Sequence, residues 1–194
     1  GAIDQRIGHP LRKMFDFFDG VFFSGWEEIH PMGFNQSEED EGTFIFTLVT
    51  SGIFLLCPYM DEIDYVKFPD LMSEKERKSL SAYYKSSIQR FMYAQGSDKV
   101  FLSKNVMSTG RLNTIIEMFP KAKIVYIVRS PYAAVPSFIS MFSAAWKAHS
   151  PEIPENSKYH RAWGELAMDY YIYFHENIKK LPESQWCVLK YEDL

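Results

Sequence analysis

Two basic side chains occupy positions at which a phosphate or sulfate could bind. Lys104 follows a short apolar run at 100–102, and Arg129 follows a β-branched run at 124–128. Each run has the length of a buried strand, and the helical pattern between them predicts a β-α-β unit with parallel strands. Ligands bind such sheets outside the carboxyl ends of the strands. Two cations beside helix starts at that edge predict an anion site, most simply for phosphate or sulfate.

Ser137 extends this predicted site. It lies about one or two turns into the helix that follows Arg129, and Pro131 favours the start of that helix. An arginine fork and a serine hydroxyl can converge on one phosphate. Alternatively, Arg129 binds helix carbonyls or a surface carboxylate and Ser137 is an ordinary helix residue. The spacing alone does not decide between these alternatives.

Helical patterns must position these residues. Ser73 and Glu76 form a capping box that opens a helix ending near residue 94. Other segments also show helix or strand patterns: helices over 37–48 with Ser37 as N-cap, 111–119, 131–148 and 159–181, and a third short strand over 186–189. Strands that alternate with helices predict an α/β fold. We therefore expect one domain over 1–194, a short parallel sheet with flanking helices, truncated relative to a complete fold.

Composition narrows the class of protein. The chain has 194 residues, 46% of them hydrophobic, which is enough for a domain with a core. A formal net charge of −4 argues against a nucleic-acid binder. Cys57 and Cys187 lie in apolar surroundings, which predicts buried free thiols and a reducing, cytoplasmic location. The apolar stretch 43–58 is shorter than the roughly 20 residues that a membrane span needs, so it predicts buried core.

Three segments together resemble the bacterial-type sulfotransferase family, whose members use 3′-phosphoadenosine 5′-phosphosulfate. They are IVYIVRSPYAAVPSF, the preceding LSKN with RLNTIIEMFPKAK, and the terminal LKYEDL. The resemblance implies a P-loop NTPase-like sulfotransferase fold that moves a sulfuryl group to a hydroxyl or amine. It implies a small-molecule, carbohydrate or lipid acceptor, with no nucleic acid, no membrane span and no metal.

The same resemblance assigns roles to individual residues. Arg129 and Ser137 match the family positions that grip the 3′-phosphate of the cofactor, and Tyr191 matches the tyrosine near the adenine. Lys104 matches the lysine that faces the transferred sulfuryl group, where it would neutralise charge on the leaving oxygen. Arg111 opens the helix after the Lys104 loop, and we expect either a cofactor contact or a surface ion pair there.

The sequence departs from the family pattern at two places. Nothing in residues 1–36 resembles the Gly/Ser/Thr-rich loop that binds the 5′-phosphosulfate, which predicts a fragment without that loop. Val106 stands where many members have a histidine base, although the transfer needs a group that accepts a proton. The candidate bases are Glu39 first, then Asp40, Glu41, His30 and His149. Alternatively, these carboxylates stabilise the start of a helix and do not accept the proton.

Two other functions remain open at this stage. The chain could be a catalytically inert binding or scaffold fragment of the same fold. It could also be a P-loop phosphotransferase, for which a GxxxxGK[ST] motif would be expected and is not present in the sequence.

Overall fold

A computed structural model describes residues 9–23, 39–96 and 99–194, which divide into two units, Gly1–Glu39 and Asp40–Leu194. In the first unit, the described residues include the helix α1 (Pro10–Phe23). The second unit contains α2 (Glu41–Ile45), α3 (Glu74–Gln95), α4 (Leu112–Met118), β1 (Ile124–Val128), α5 (Pro131–His149), α6 (Lys158–Ile178) and β2 (Trp186–Lys190). Short 3₁₀ helices connect these elements, at Ser51–Leu55, Asp64–Val66, Pro69–Leu71, Val106–Arg111, Glu183–Gln185 and Tyr191–Asp193.

The two strands form a short parallel sheet. Ile124 of β1 lies opposite Trp186 of β2, and the pairing continues to Val128 opposite Lys190. One face packs on α6, where the Tyr126 ring stacks on Phe174 with the ring centroids 3.6 Å apart. This arrangement confirms the α/β class and the parallel sheet with flanking helices.

The predicted strand at 100–102 is wrong. The segment is irregular, and Val100 and Leu102 are 92% and 90% exposed. Phe101 instead packs on Phe91 of α3, with the ring centroids 5.7 Å apart. Three apolar residues are too few to identify a strand when no neighbouring strand pairs with them. The sheet therefore has two strands in the described residues, and Lys104 does not follow the end of a strand.

Local signals located several elements correctly. The capping box of α3 is present, since the Ser73 hydroxyl accepts from the Glu76 N–H at 3.4 Å and the Glu76 carboxylate accepts from the Ser73 N–H at 3.1 Å. The helix after Arg129 begins at Pro131, as predicted. Of the predicted helix over 37–48, the described residues form Glu41–Ile45, and Leu48 beyond it adopts a left-handed backbone with φ 58° that ends the helical path. Ser37 lies outside the described residues.

The main hydrophobic core lies between α5, α6 and the 3₁₀ helix Ser51–Leu55. The Trp163 ring stacks on Phe138 and meets Phe54 edge-on, and the indole N–H of Trp146 donates to the Phe54 carbonyl at 2.7 Å. The stretch 43–58 thus contributes Phe54 to this core and Phe44 to a second cluster with Leu80 and Tyr84, although Phe46 in the same stretch is exposed. Among helices in the described part of the chain, none combines the length and the hydropathy that a membrane crossing requires.

The prediction that both cysteines are buried is wrong for Cys187. This thiol lies in β2 and is exposed, whereas Cys57 is partly buried. All four residues from Cys187 to Lys190 are exposed, so both faces of this part of β2 are uncovered and the apolar run does not by itself show burial.

A buried ion pair joins the start of α2 to the start of α4. Arg111 is 1% exposed, and its Nη2 lies 2.7 Å from the Glu41 carboxylate and 2.9 Å from the Thr50 hydroxyl. The guanidinium also lies over the Phe44 ring, 3.7 Å from its centroid. Thr50 completes the arrangement by donating its hydroxyl to Glu41.

We expect Glu41→Gln to lower the free energy of unfolding by about 3–5 kcal/mol, because it leaves the buried guanidinium without a countercharge. The measurement is urea unfolding followed by circular dichroism. Glu117→Gln is the matched control, since the Arg77–Glu117 pair lies at the surface and exposed pairs contribute below about 1 kcal/mol. Equal losses in the two variants would contradict the importance of the buried pair.

We also expect Gly110→Ala to destabilise the protein by about 1–3 kcal/mol, as overpacking of a core does. A Cβ at this position would lie 2.5 Å from the Lys67 carbonyl oxygen and 3.2 Å from the Tyr170 ring. Gly42→Ala in α2 is the control, because a Cβ there meets nothing within 4 Å. Thermal unfolding of both variants checks the prediction, and an unchanged melting temperature for Gly110→Ala would refute it.

Candidate cofactor-binding site

Two of the residues predicted to bind the cofactor meet at one edge of the sheet. β1 and β2 run parallel and end at Val128 and Lys190, so Arg129 and Tyr191 both emerge at the carboxyl ends of the strands. The guanidinium carbon of Arg129 lies 4.9 Å from the centroid of the Tyr191 ring. This is the edge at which parallel sheets bind ligands.

Neighbouring side chains fix the turn that carries Arg129. The Tyr171 hydroxyl of α6 donates to the Arg129 carbonyl at 2.9 Å. The Glu192 carboxylate accepts from the Ser130 N–H at 3.0 Å. That hydrogen bond, with the nearby charges of Arg129 and Lys190, lowers the pKa of Glu192, so the side chain stays ionised at neutral pH.

Ser137 lies in the second turn of α5 and is exposed. The helix starts directly after Arg129 and Ser130, so its amino-terminal end points toward the same edge of the sheet. Whether Ser137 and Arg129 hold one phosphate stays a prediction. An open pocket of about 450 Å³ lies beside these first turns, lined by Pro131, Tyr132, Val135, Pro136 and Met168.

Lys104 lies in an exposed loop that contacts Asp40 and Glu41, which we call the acidic segment. The Ser103 hydroxyl donates to Asp40 at 2.9 Å, and the Asn105 amide donates to the other Asp40 carboxylate oxygen at 2.8 Å. The same amide group donates to Glu41 at 2.8 Å. Both sequence neighbours of Lys104 are therefore bound to the acidic segment.

The candidate bases differ in what the structure shows of them. Glu39 belongs to the first unit, so its predicted role beside Lys104 stays a prediction. Glu41 is engaged with Arg111. His149 lies at the end of α5, and its ring contacts the Leu55 carbonyl oxygen. Because α5 has 19 residues, His149 is about 28 Å from the start of this helix, which follows Arg129. His30 lies outside the described residues.

Arg111 occupies the interior rather than the surface. The surface ion pair that we weighed for Arg111 is wrong, because its partner Glu41 is buried as well. Its cofactor contact stays a prediction, and its described contacts are internal.

The sequence did not predict two residues that bind the turn carrying Arg129, namely Tyr171 and Glu192. Glu192 follows Tyr191 directly in the terminal YED segment. This proximity to a predicted site residue is the sequence feature that could have indicated Glu192. Tyr171 lies in a long aromatic helix in which nothing distinguishes it from residues of the core.

Comparison with known proteins bears on the identity of this chain. Omega-hydroxy-beta-dihydromenaquinone-9 sulfotransferase Stf3 of Mycobacterium bovis and that of Mycobacterium tuberculosis are each 29% identical to it over 96 residues. The match covers 50% of this chain and 25% of each relative, so the chain spans about a quarter of their length. No solved structure matches. Residues 59–194 match the Sulfotransferase family, and since this is more than half of the sequence, the chain belongs to the sulfotransferase family.

Proposed function

We propose that this chain binds 3′-phosphoadenosine 5′-phosphosulfate and moves its sulfuryl group to a hydroxyl or amine of an acceptor. Membership of the sulfotransferase family supports sulfuryl transfer in general. The observation that carries the proposal is the contact between Arg129 and Tyr191 at the carboxyl ends of two parallel strands. A phosphate-binding cation and an aromatic ring for a purine are thereby side by side.

Arg129 and Ser137 would hold the 3′-phosphate in this proposal. The guanidinium can donate two parallel hydrogen bonds to phosphate oxygens, and the hydroxyl can donate one. The positive end of the α5 macrodipole adds to the attraction, because α5 starts directly after Ser130. Tyr191 is 53% exposed, so a purine can lie against its ring.

Lys104 would act at the other end of the donor. As the bond between sulfur and the bridging oxygen breaks, negative charge grows on that oxygen, and an ammonium group stabilises it. The acceptor oxygen or nitrogen forms the new bond to sulfur and gives up its proton, for which Glu39 is the proposed base. Binding energy from the remote 3′-phosphate would hold the reacting atoms in line.

The acceptor that the relatives favour is lipid-like. Their name identifies a hydroxylated dihydromenaquinone as what they act on. Among the acceptors expected from the sequence, we therefore propose a hydroxyl on an apolar molecule.

We expect Arg129→Ala to weaken the binding of 3′-phosphoadenosine 5′-phosphate about 10- to 150-fold, because a hydrogen bond to a charged group contributes about 1.5–3 kcal/mol. Isothermal titration calorimetry measures this affinity. Arg161→Ala removes an exposed arginine near the start of α6 and should leave it unchanged. Unaltered binding by Arg129→Ala would contradict the assignment.

We expect Lys104→Ala to lower kcat for sulfuryl transfer about 10²- to 10³-fold, as loss of a group that stabilises transition-state charge does. Affinity for 3′-phosphoadenosine 5′-phosphate, which has no sulfuryl group, should change little. A radiolabelled sulfuryl-transfer assay is the measurement, with exposed Lys121 replaced by Ala as the control. Nucleotide binding without any transfer by the unmodified chain would favour a binding module instead.

A further inference from the structure

We propose that Asp40 is a positioning residue for Lys104: its carboxylate binds the residues on both sides of the lysine and so fixes the loop that carries it. This inference rests on the role proposed for Lys104 above. The sequence suggested Asp40 as a candidate base, and the inference assigns it a positioning role instead.

The contacts of Asp40 come from both ends of the loop. One carboxylate oxygen accepts from the Ser103 hydroxyl at 2.9 Å, and the other accepts from the Asn105 amide at 2.8 Å. The lysine side chain has a flexible stem, and the position of its Cα limits the region that its ammonium group can reach. Binding both neighbours restricts that backbone position.

A buried tyrosine anchors the carboxylate itself. Tyr84 of α3 is buried and donates its hydroxyl to Asp40. Burial, together with the hydrogen bond and charge of Asp40, raises the pKa of Tyr84, so its hydroxyl remains protonated and available as a donor. The loop is thereby tied to a helix of 22 residues.

Asn105 connects the loop to the interior. Its side-chain oxygen accepts from the Met107 N–H at 2.9 Å, and its amide also donates to Glu41 at 2.8 Å. Glu41 in turn pairs with buried Arg111. The segment that follows Lys104 therefore joins directly to the ion pair in the core.

The same contacts argue against Asp40 as the proton acceptor. Both of its carboxylate oxygens accept hydrogen bonds, from Tyr84 and Ser103 at one and from Asn105 at the other. Three of the roughly four lone pairs of this carboxylate are therefore engaged, whereas a base must offer a free lone pair to the acceptor's proton. The geometry is that of an anchor, and the preorganisation of a catalytic lysine is what such an anchor supplies.

The first test measures the loop directly. Asp40→Asn keeps the shape but places an N–H₂ group against a donor, so amide hydrogen exchange at 103–107 should accelerate about tenfold or more. Asp70→Asn is the matched control, because Asp70 accepts from Asn113 and Thr114 at the start of α4 and from Tyr173 of α6. Its effect should appear at α4. Unchanged exchange at 103–107 in Asp40→Asn would overturn the inference whatever the activity.

The second test asks whether the anchor acts through Lys104. Asp40→Asn should lower kcat about 10- to 100-fold, as a small misplacement of a catalytic group does, with the KM for the sulfuryl donor nearly unchanged. In a Lys104→Ala background it should cause no further loss, because the two residues act as one unit. Additive losses would show that Asp40 acts independently, as a base or through stability, and would refute the inference.

Two further outcomes are distinguishable. If Asp40→Asn fails to fold, Ser103→Ala removes a single anchor at the surface and should give smaller changes of the same kind in exchange and kcat. If the unmodified chain transfers nothing, the proposed function fails and the catalytic half of this inference fails with it. Hydrogen exchange still decides whether Asp40 holds the loop.

Discussion

The buried pair between Glu41 and Arg111 is the constraint on which the arrangement of the second unit depends. Either charge alone in the interior would be strongly unfavourable, so the segments that carry them must stay together. Glu41 is the neighbour of Asp40, and Arg111 ends the 3₁₀ helix that follows the Lys104 loop. The pair therefore determines that the acidic segment lies beside this loop, although the two are far apart in the sequence.

Carboxylates bind the residues next to Lys104 and Arg129, the two basic residues of the proposed site. Asp40 binds both neighbours of Lys104, and Glu192 binds the N–H next to Arg129. The hydrogen bonds that these carboxylates accept come from backbone N–H groups and neutral side chains. Such contacts restrain the backbone beside each basic residue, which is the preorganisation that charge-stabilising catalysis needs.

Signals contained within a few residues were sufficient to predict much of the fold. The capping box at Ser73, the proline at the start of α5 and the β-branched run of β1 all act locally, and the structure confirms them. The strand at 100–102 depended on a partner strand that the sequence could not reveal. The pairing of Glu41 with Arg111 likewise results from tertiary packing, so no spacing rule indicates it. For the candidate site, sequence motifs predicted Arg129 and Tyr191, which the structure brings into contact, whereas Tyr171, which binds the Arg129 carbonyl, belongs to no motif.

The contact between Arg129 and Tyr191 depends on the register of a very short sheet. Val128 pairs with Lys190, so the residues after the two strands emerge at the same level. A slip of one position would turn the Tyr191 ring to the opposite face and separate it from the guanidinium. Packing of the first paired residues on α6 opposes such a slip at one end of the strands, and the Glu192–Ser130 hydrogen bond opposes it at the other. Restraint at both ends explains how two strands of five residues can bring Arg129 and Tyr191 together.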